Sequence, residues 1–181
     1  LFVIGGIATF YISHYRYYPV AFVNSKPILA RDLSNIAESA FGFYLKAFDT
    51  YKKQPISEVD AQKLLKEVKR ATLEKLIEEK ILSDEIASRF GGEFQVLIDK
   101  KLQAVENGNL QQAASGLYGL GFAEFRKTVL EPEARRELLA ETFKSKNENF
   151  GEWLKSAKQN ASVFVLIPGF AWQGMTLEIK N

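Results

Sequence analysis

The chain has 181 residues, 46% of them hydrophobic and 25% charged, which suits one domain with a sizeable core and excludes disorder as a whole-chain description. Lys plus Arg (24) and Asp plus Glu (22) nearly cancel to +2, with the signs interspersed, so no nucleic-acid partner is expected. The chain has no cysteine and one histidine, His14. That excludes a disulfide framework, a thiol nucleophile, a His-pair metal site and Ser-His or Cys-His catalysis in the folded part. No catalytic residue, metal or cofactor is expected.

The opening LFVIGGIATFYI is uncharged through Ile12 and is followed by Ser13, His14, Tyr15, Arg16, Tyr17 and Tyr18. It reads as the end of a membrane span with its aromatic belt. Twelve helical residues cover about 18 Å of a hydrocarbon core about 30 Å thick. Because the chain begins at Leu1, the start of the span is taken to lie upstream. Residues 1–16 are therefore assigned to the end of an N-terminal transmembrane anchor, and 17–181 to one folded domain. A buried core helix and a signal peptide are the alternatives, the second weakened by the lack of a small-x-small cleavage pattern.

Alternation over Val20 to Val23 predicts a short strand, Asn24-Ser25 a turn, and Pro27 followed by Asp32 a helix entry. From about Leu33 to Tyr51, residues Leu33, Ile36, Ala40, Phe41, Tyr44, Leu45 and Phe48 recur at three- and four-residue steps, the stripe of an unusually aromatic amphipathic helix. A second, long helix starts at a Ser57 to Asp60 box, runs through Leu65, Val68, Leu73, Leu76, Ile77 and Ile81, and stops at Gly91. Its Glu and Lys pairs at four-residue steps are assigned to the wet face.

Shorter helices follow at about Phe94 to Glu106, Leu110 to Tyr118, Phe122 to Lys144 with a break at Pro132, and Glu148 to Gln159. Val163 to Ile167 is apolar at every position, which predicts a strand buried from both sides. Pairing between this strand and Val20 to Val23 would bring the two ends of the domain together, since a buried strand must satisfy its backbone groups. The fold class expected is mainly α: a helical cradle with a minimal two- or three-stranded sheet formed by the N- and C-terminal segments, preceded by a transmembrane helix.

Two glycine motifs resolve into helix punctuation. SRFGGEFQVLI, Ser88 to Ile98, resembles the signature hairpin of diguanylate cyclases but has only Glu93 where that motif carries two acidic residues. It reads instead as a helix C-cap. GLYGLGF, Gly116 to Phe122, follows a helix and lacks the Gly-Lys-Ser/Thr ending of a phosphate loop, so it reads as a helix-breaking loop.

The order of elements resembles a known family. VAFVNSKPILARDL, then ATLEKLIEEKILSDEIASRF, then GFAEFRKTVLEPEARRELLAETF look like the N-terminal chaperone domain of the SurA family, shared with parvulin-linked foldases such as PrsA. The positions that carry the resemblance are Val23, Asn24, Ile28, Asp32, Leu76, Ile77, Lys80, Ile81, Leu82, Phe125 and Arg126. The chain departs from the family after the closing helix. ETFKSKNENFGEWLKSAKQNASVFVLI runs straight into the terminal helix and strand, where the family usually places a prolyl isomerase domain. The first helix is also longer and more aromatic than the family pattern.

The resemblance implies binding of unfolded or newly exported polypeptide without isomerase or other enzymatic activity, and with the anchor read from the opening residues the expectation is a single-pass membrane protein with its domain on the extracytoplasmic side. The residues expected to line the binding surface are Phe41, Phe43, Tyr44, Phe48, Tyr118, Phe122 and Phe125, with Phe43 set off the stripe of Phe41, Leu45 and Phe48. The alternative is a structural or scaffolding membrane protein whose cradle serves one dedicated partner. The single methionine, Met175, favours this second reading, because promiscuous grooves are rich in methionine.

Overall fold

The computed structural model describes residues 16–52, 56–106 and 108–180. Strands β1 (Pro19–Val23) and β2 (Lys26–Leu29) form a hairpin. They lead into helices α1 (Ala30–Lys52) and α2 (Glu58–Phe90). A 3-10 turn at Gly91–Glu93 precedes α3 (Phe94–Gln103) and α4 (Gly108–Ala113), and a π turn, Ala114–Tyr118, ends α4. Helix α5 (Phe122–Phe125) passes through a second π turn, Arg126–Leu130, into α6 (Glu131–Ser145). Helix α7 (Phe150–Asn160) and strands β3 (Val163–Val165), β4 (Phe170–Trp172) and β5 (Leu177–Ile179) complete the fold. The architecture is mainly helical, with a three-stranded sheet ordered β2-β1-β3 and a separate β4-β5 hairpin.

The chain's two ends meet in the first sheet. β1 pairs antiparallel with β3, Ala21 opposite Val165, Phe22 opposite Phe164 and Val23 opposite Val163. The β1-β2 turn is closed by Asn24 and Ser25, both at left-handed φ (48° and 66°), the geometry that suits a two-residue hairpin. Asn24 ties three elements together. Its Nδ2 donates to Asp84 on α2 at 3.1 Å, and its Oδ1 accepts from the Ser162 N–H at 3.0 Å.

Helix α2 is the spine. Ser57 caps it, its Oγ accepting from the Asp60 N–H at 3.1 Å, and Gly91 ends it at φ 56° with its N–H on the Ala87 carbonyl. Its apolar residues serve two cores. One joins Leu73, Ile77 and Ile81 to Val20, Ala21, Val23, Ile28, Leu33, Phe170 and Leu177. The other joins Leu82 and Ile86 to Phe94, Ile98, Leu102, Leu139, Phe143 and Leu154.

Several expectations are corrected. Pro27 lies in β2, not at a helix entry. As an outer strand of the sheet, β2 tolerates a residue without an N–H, and α1 begins only at Ala30. β3 is also an outer strand rather than buried on both faces: Phe164 is 68% and Leu166 53% exposed. Pro132 does not break its helix. The π turn just ahead of it, closed by the Glu131 N–H on the Arg126 carbonyl, shifts backbone bonding by one residue and accommodates the proline. The acidic residues of α2 are not all on a wet face, since α2 has neighbours on several sides. Glu74 accepts from Arg70 and from the Leu177 N–H, and Glu78 pairs with Arg136 and Lys158. The β4-β5 hairpin, its turn containing Gly174 at φ 77°, was not foreseen, because Gly169 and Gly174 obscure its short apolar runs.

Among the described residues, no helix is long and apolar enough to cross a membrane. The anchor expected over residues 1–16 lies outside the described residues apart from Arg16.

Candidate binding groove

Between α1, α2 and the α5–α6 segment runs a groove in two connected parts, of about 440 and 630 Å³. Both parts are lined by Ile36, Leu76, Glu79, Thr128 and Pro132. The first part is bounded further by Ala40 and Tyr44 of α1, Val68 and Thr72 of α2, Tyr118 and Val129. The second opens toward Ile28, Arg31, Lys127 and Arg135. The space has a local cause. Ser39 and Ala40 on α1 and Ala71 and Thr72 on α2 line it from opposite helices, and side chains this small leave room where larger ones would interdigitate.

Aromatic contacts hold the far wall. The Phe43 ring stacks on Tyr118, centroids 5.2 Å apart and planes 15° from parallel. Tyr118 also meets Phe125 at 5.0 Å, and Tyr44 meets Phe43 edge-on at 5.7 Å. The structure thus gathers Phe43, Tyr44, Tyr118 and Phe125 into one cluster. Tyr44, 50% exposed, and Tyr118 line the groove; Phe125, 3% exposed, anchors the cluster from the core. Phe41, Phe43, Phe48 and Phe122 are half-buried and line neither part of the groove, Phe43 bearing on it only through Tyr44 and Tyr118.

Below the aromatic wall, Arg126 fixes the α5–α6 segment. Its guanidinium donates to Asp99 at 2.7 Å, Glu106 at 2.8 Å and Glu131 at 2.9 Å. This ties the segment to the α3 region.

The Glu79 carboxylate lies in the groove floor with only a long ion pair to hold it. The Glu79 side chain is only 19% exposed, Arg135 Nη1 lies 3.9 Å away, and no hydrogen bond reaches it from the described residues. Burial raises its pKa above the ordinary 4.5, opposed by the charges of Arg135 and Lys75 and reinforced by Glu133. Neighbouring charges are already engaged, Lys75 with Glu133 at 2.8 Å and Arg135 with Glu131 at 3.1 Å. The Glu79 carboxylate is therefore an acceptor available to a backbone N–H or a cationic group entering the groove.

Ile36, Val68, Thr72, Leu76, Glu79, Val129 and Pro132 were not among the expected site residues. A signal was present at Thr72 and Glu79, polar residues seven positions apart on the spine helix, in step with Val68 and Leu76. No group of three or more His, Cys, Asp or Glu among the described residues is placed to hold a metal ion. In comparisons with known proteins the chain matches no family model, no curated protein and no solved structure.

Proposed function

We propose that the groove binds extended, apolar stretches of unfolded or newly exported polypeptide and releases them without bond-making chemistry. The domain would act outside a cell membrane, held there by the N-terminal segment. The observation that carries this reading is the groove itself: a largely apolar first part with Tyr44 and Tyr118 in its wall, leading past the Glu79 carboxylate into a more charged second part. The SurA-like order of elements supports it. A groove of this size gives micromolar affinity at best, about 8 kcal/mol, after ordering a flexible client. Such weak binding suits a protein that must let its client go.

The test is suppression of aggregation. The chain at tens of micromolar, an affinity-matched concentration, is expected to lower light scattering by a refolding client. A Phe43→Ala/Tyr44→Ala variant with an unchanged melting profile is expected to lose most of that effect. Unchanged scattering with the parent protein overturns the reading; equal suppression by the variant moves the site elsewhere. A protease-coupled proline peptide assay is expected to show no rate above background, as the lack of an isomerase-like segment implies.

A second reading, one dedicated membrane-protein partner, is favoured by the identity of the lining. The single methionine, Met175, accepts a contact from Gln159 at 3.5 Å and contributes nothing to the groove. Rigid aromatics without methionine adapt poorly to many sequences. Several unrelated clients tested side by side separate the two readings, since a dedicated site protects none of them.

A further inference from the structure

The three-stranded sheet carries exposed apolar side chains on its outer face. Along β3, Val163, Val165 and Ile167 pack against the core, while Phe164 and Leu166 point the other way and are exposed, as the two-residue period of a strand requires. Strand register extends the apolar surface across the sheet. Pro27 on β2 and Phe164 on β3 both lie opposite Phe22 on β1, so the three residues form one row. None of Pro27, Phe22, Phe164 and Leu166 carries a charge. Two exposed tyrosines, Tyr17 and Tyr18, stand where the chain enters β1, and the Tyr17 hydroxyl accepts from Arg31 at 2.6 Å.

What lies before β1 identifies the occupant. The uncharged run of the sequence ends at Ile12, seven residues before Pro19, and seven residues reach at most about 25 Å even when fully extended. If that run enters a bilayer, the sheet is held within this distance of the lipid surface. A tether so short makes any contact between sheet and lipid intramolecular, so a patch with weak intrinsic affinity is still engaged. The uncharged, partly aromatic row of Phe22, Pro27, Phe164 and Leu166, with Tyr17 and Tyr18 just ahead of β1 and Arg16 and Lys26 beside it, matches the chemistry of the membrane–water interface. A second copy of the chain is a poorer fit, since two chains pairing through β3 would share a ladder only three residues long.

We propose that the outer face of the sheet, Phe22, Pro27, Phe164 and Leu166, rests on the lipid interface and fixes the orientation of the domain on the membrane. This rests on the reading of residues 1–16 as a membrane anchor and goes beyond it by naming the surface that touches lipid.

The cysteine-free chain makes the test direct. The full chain carrying a nitroxide at Phe164→Cys or Leu166→Cys is reconstituted into phosphatidylcholine/phosphatidylglycerol vesicles. Val59→Cys on α2 and Val96→Cys on α3, both exposed positions, serve as references. Relative accessibility to oxygen, which concentrates in lipid, over a water-soluble nickel complex is expected to be several-fold higher at 164 and 166 than at 59 and 96. Equal ratios at all four positions, in protein that floats with the vesicles, overturn the proposal and leave the anchor standing. Failure of this chain to float also overturns the proposal, since the sheet face then does not hold the lipid surface. Spin–spin broadening at 164 that disappears on dilution with unlabelled chain identifies a second copy as the occupant and also overturns it.

Discussion

The two sides of α2 differ in how they are finished. Toward the sheet and toward α3, α6 and α7, its apolar residues are closed into two cores, with Leu73, Ile77 and Leu82 at most 1% exposed. Toward α1 the packing stops early. Beyond Ala37, no described α1 residue is buried, although Phe41, Phe43, Tyr44, Leu45 and Phe48 all lie there. Aromatic side chains carry the largest apolar areas available to a core, so their half-burial marks a wall rather than a filling. The comparison teaches that amphipathic periodicity alone does not separate a core stripe from a binding stripe. The size of the residues on the facing helix does.

The largest effect that would sharpen this contrast comes from the sheet side. Truncation after Gln159 removes β3, β4 and β5, and with them Phe170 and Leu177 of one core. It also strips β1 of one partner and Glu74 of the Leu177 N–H. The expected result is loss of the cooperative thermal transition, because the missing contacts are comparable to the roughly 5–15 kcal/mol by which a domain is stable. A truncated chain melting like the parent by circular dichroism would break the comparison, since the sheet core would then not be needed.

Next comes a matched pair of aromatic truncations. Phe143→Ala empties a position that is 2% exposed and touches Phe150 and Trp153, and is expected to cost about 3–5 kcal/mol. Phe43→Ala, at a half-buried ring that stacks on the groove-lining Tyr118, is expected to cost about 1–1.5 kcal/mol from lost stacking and area. Urea unfolding measures both. Equal losses would make Phe43 a core residue and remove the reason for assigning α1 to a binding wall.

A smaller effect is expected in the groove floor. Because the folded-state pKa of Glu79 is raised, the folded protein binds more protons than the unfolded chain just above the ordinary glutamate range. Stability from this group is therefore present at low pH and lost as pH rises through the folded pKa. Glu79→Gln is expected to be more stable than the parent near neutral pH, with the advantage shrinking as pH falls through that window. Asp84 contributes in the opposite sense. Burial would raise its pKa, but hydrogen bonds from Lys26 and Asn24 outweigh that and lower it, so the parent-minus-variant difference, not the parent profile, is the quantity to read. A difference independent of pH would mean that Glu79 is solvated like a surface residue.

The smallest effect belongs to the hairpin turn. Ser25 at φ 66° occupies a conformation that glycine adopts without strain, so Ser25→Gly is expected to stabilise the protein by about 0.5 kcal/mol. Thermal melts resolve this only with replicate scans. A destabilised variant would show that the serine side chain, rather than the backbone, holds the turn.

The sequence by itself determined the local elements: the Ser57 cap and Gly91 stop of the spine, the Asn24-Ser25 turn, the helical end at Tyr118 and, to within one residue, the end of the last helix, read at Gln159 and found at Asn160. These follow from interactions within a few residues, which composition and period encode directly. The pairing of β1 with β3 was also legible, because an apolar strand at each end of a mostly helical chain leaves few other partners. Tertiary structure alone decided which side of β3 faces solvent, since Val163 to Ile167 is apolar at every position and its alternation is invisible until β1 and the core occupy one face. It likewise decided that Pro132 stays within a helix, through a π turn that no residue pattern announces. The groove was the least legible of all. It arises where Ser39 and Ala40 meet Ala71 and Thr72 across two helices, and a gap between elements is a property of both surfaces that neither carries in its own sequence.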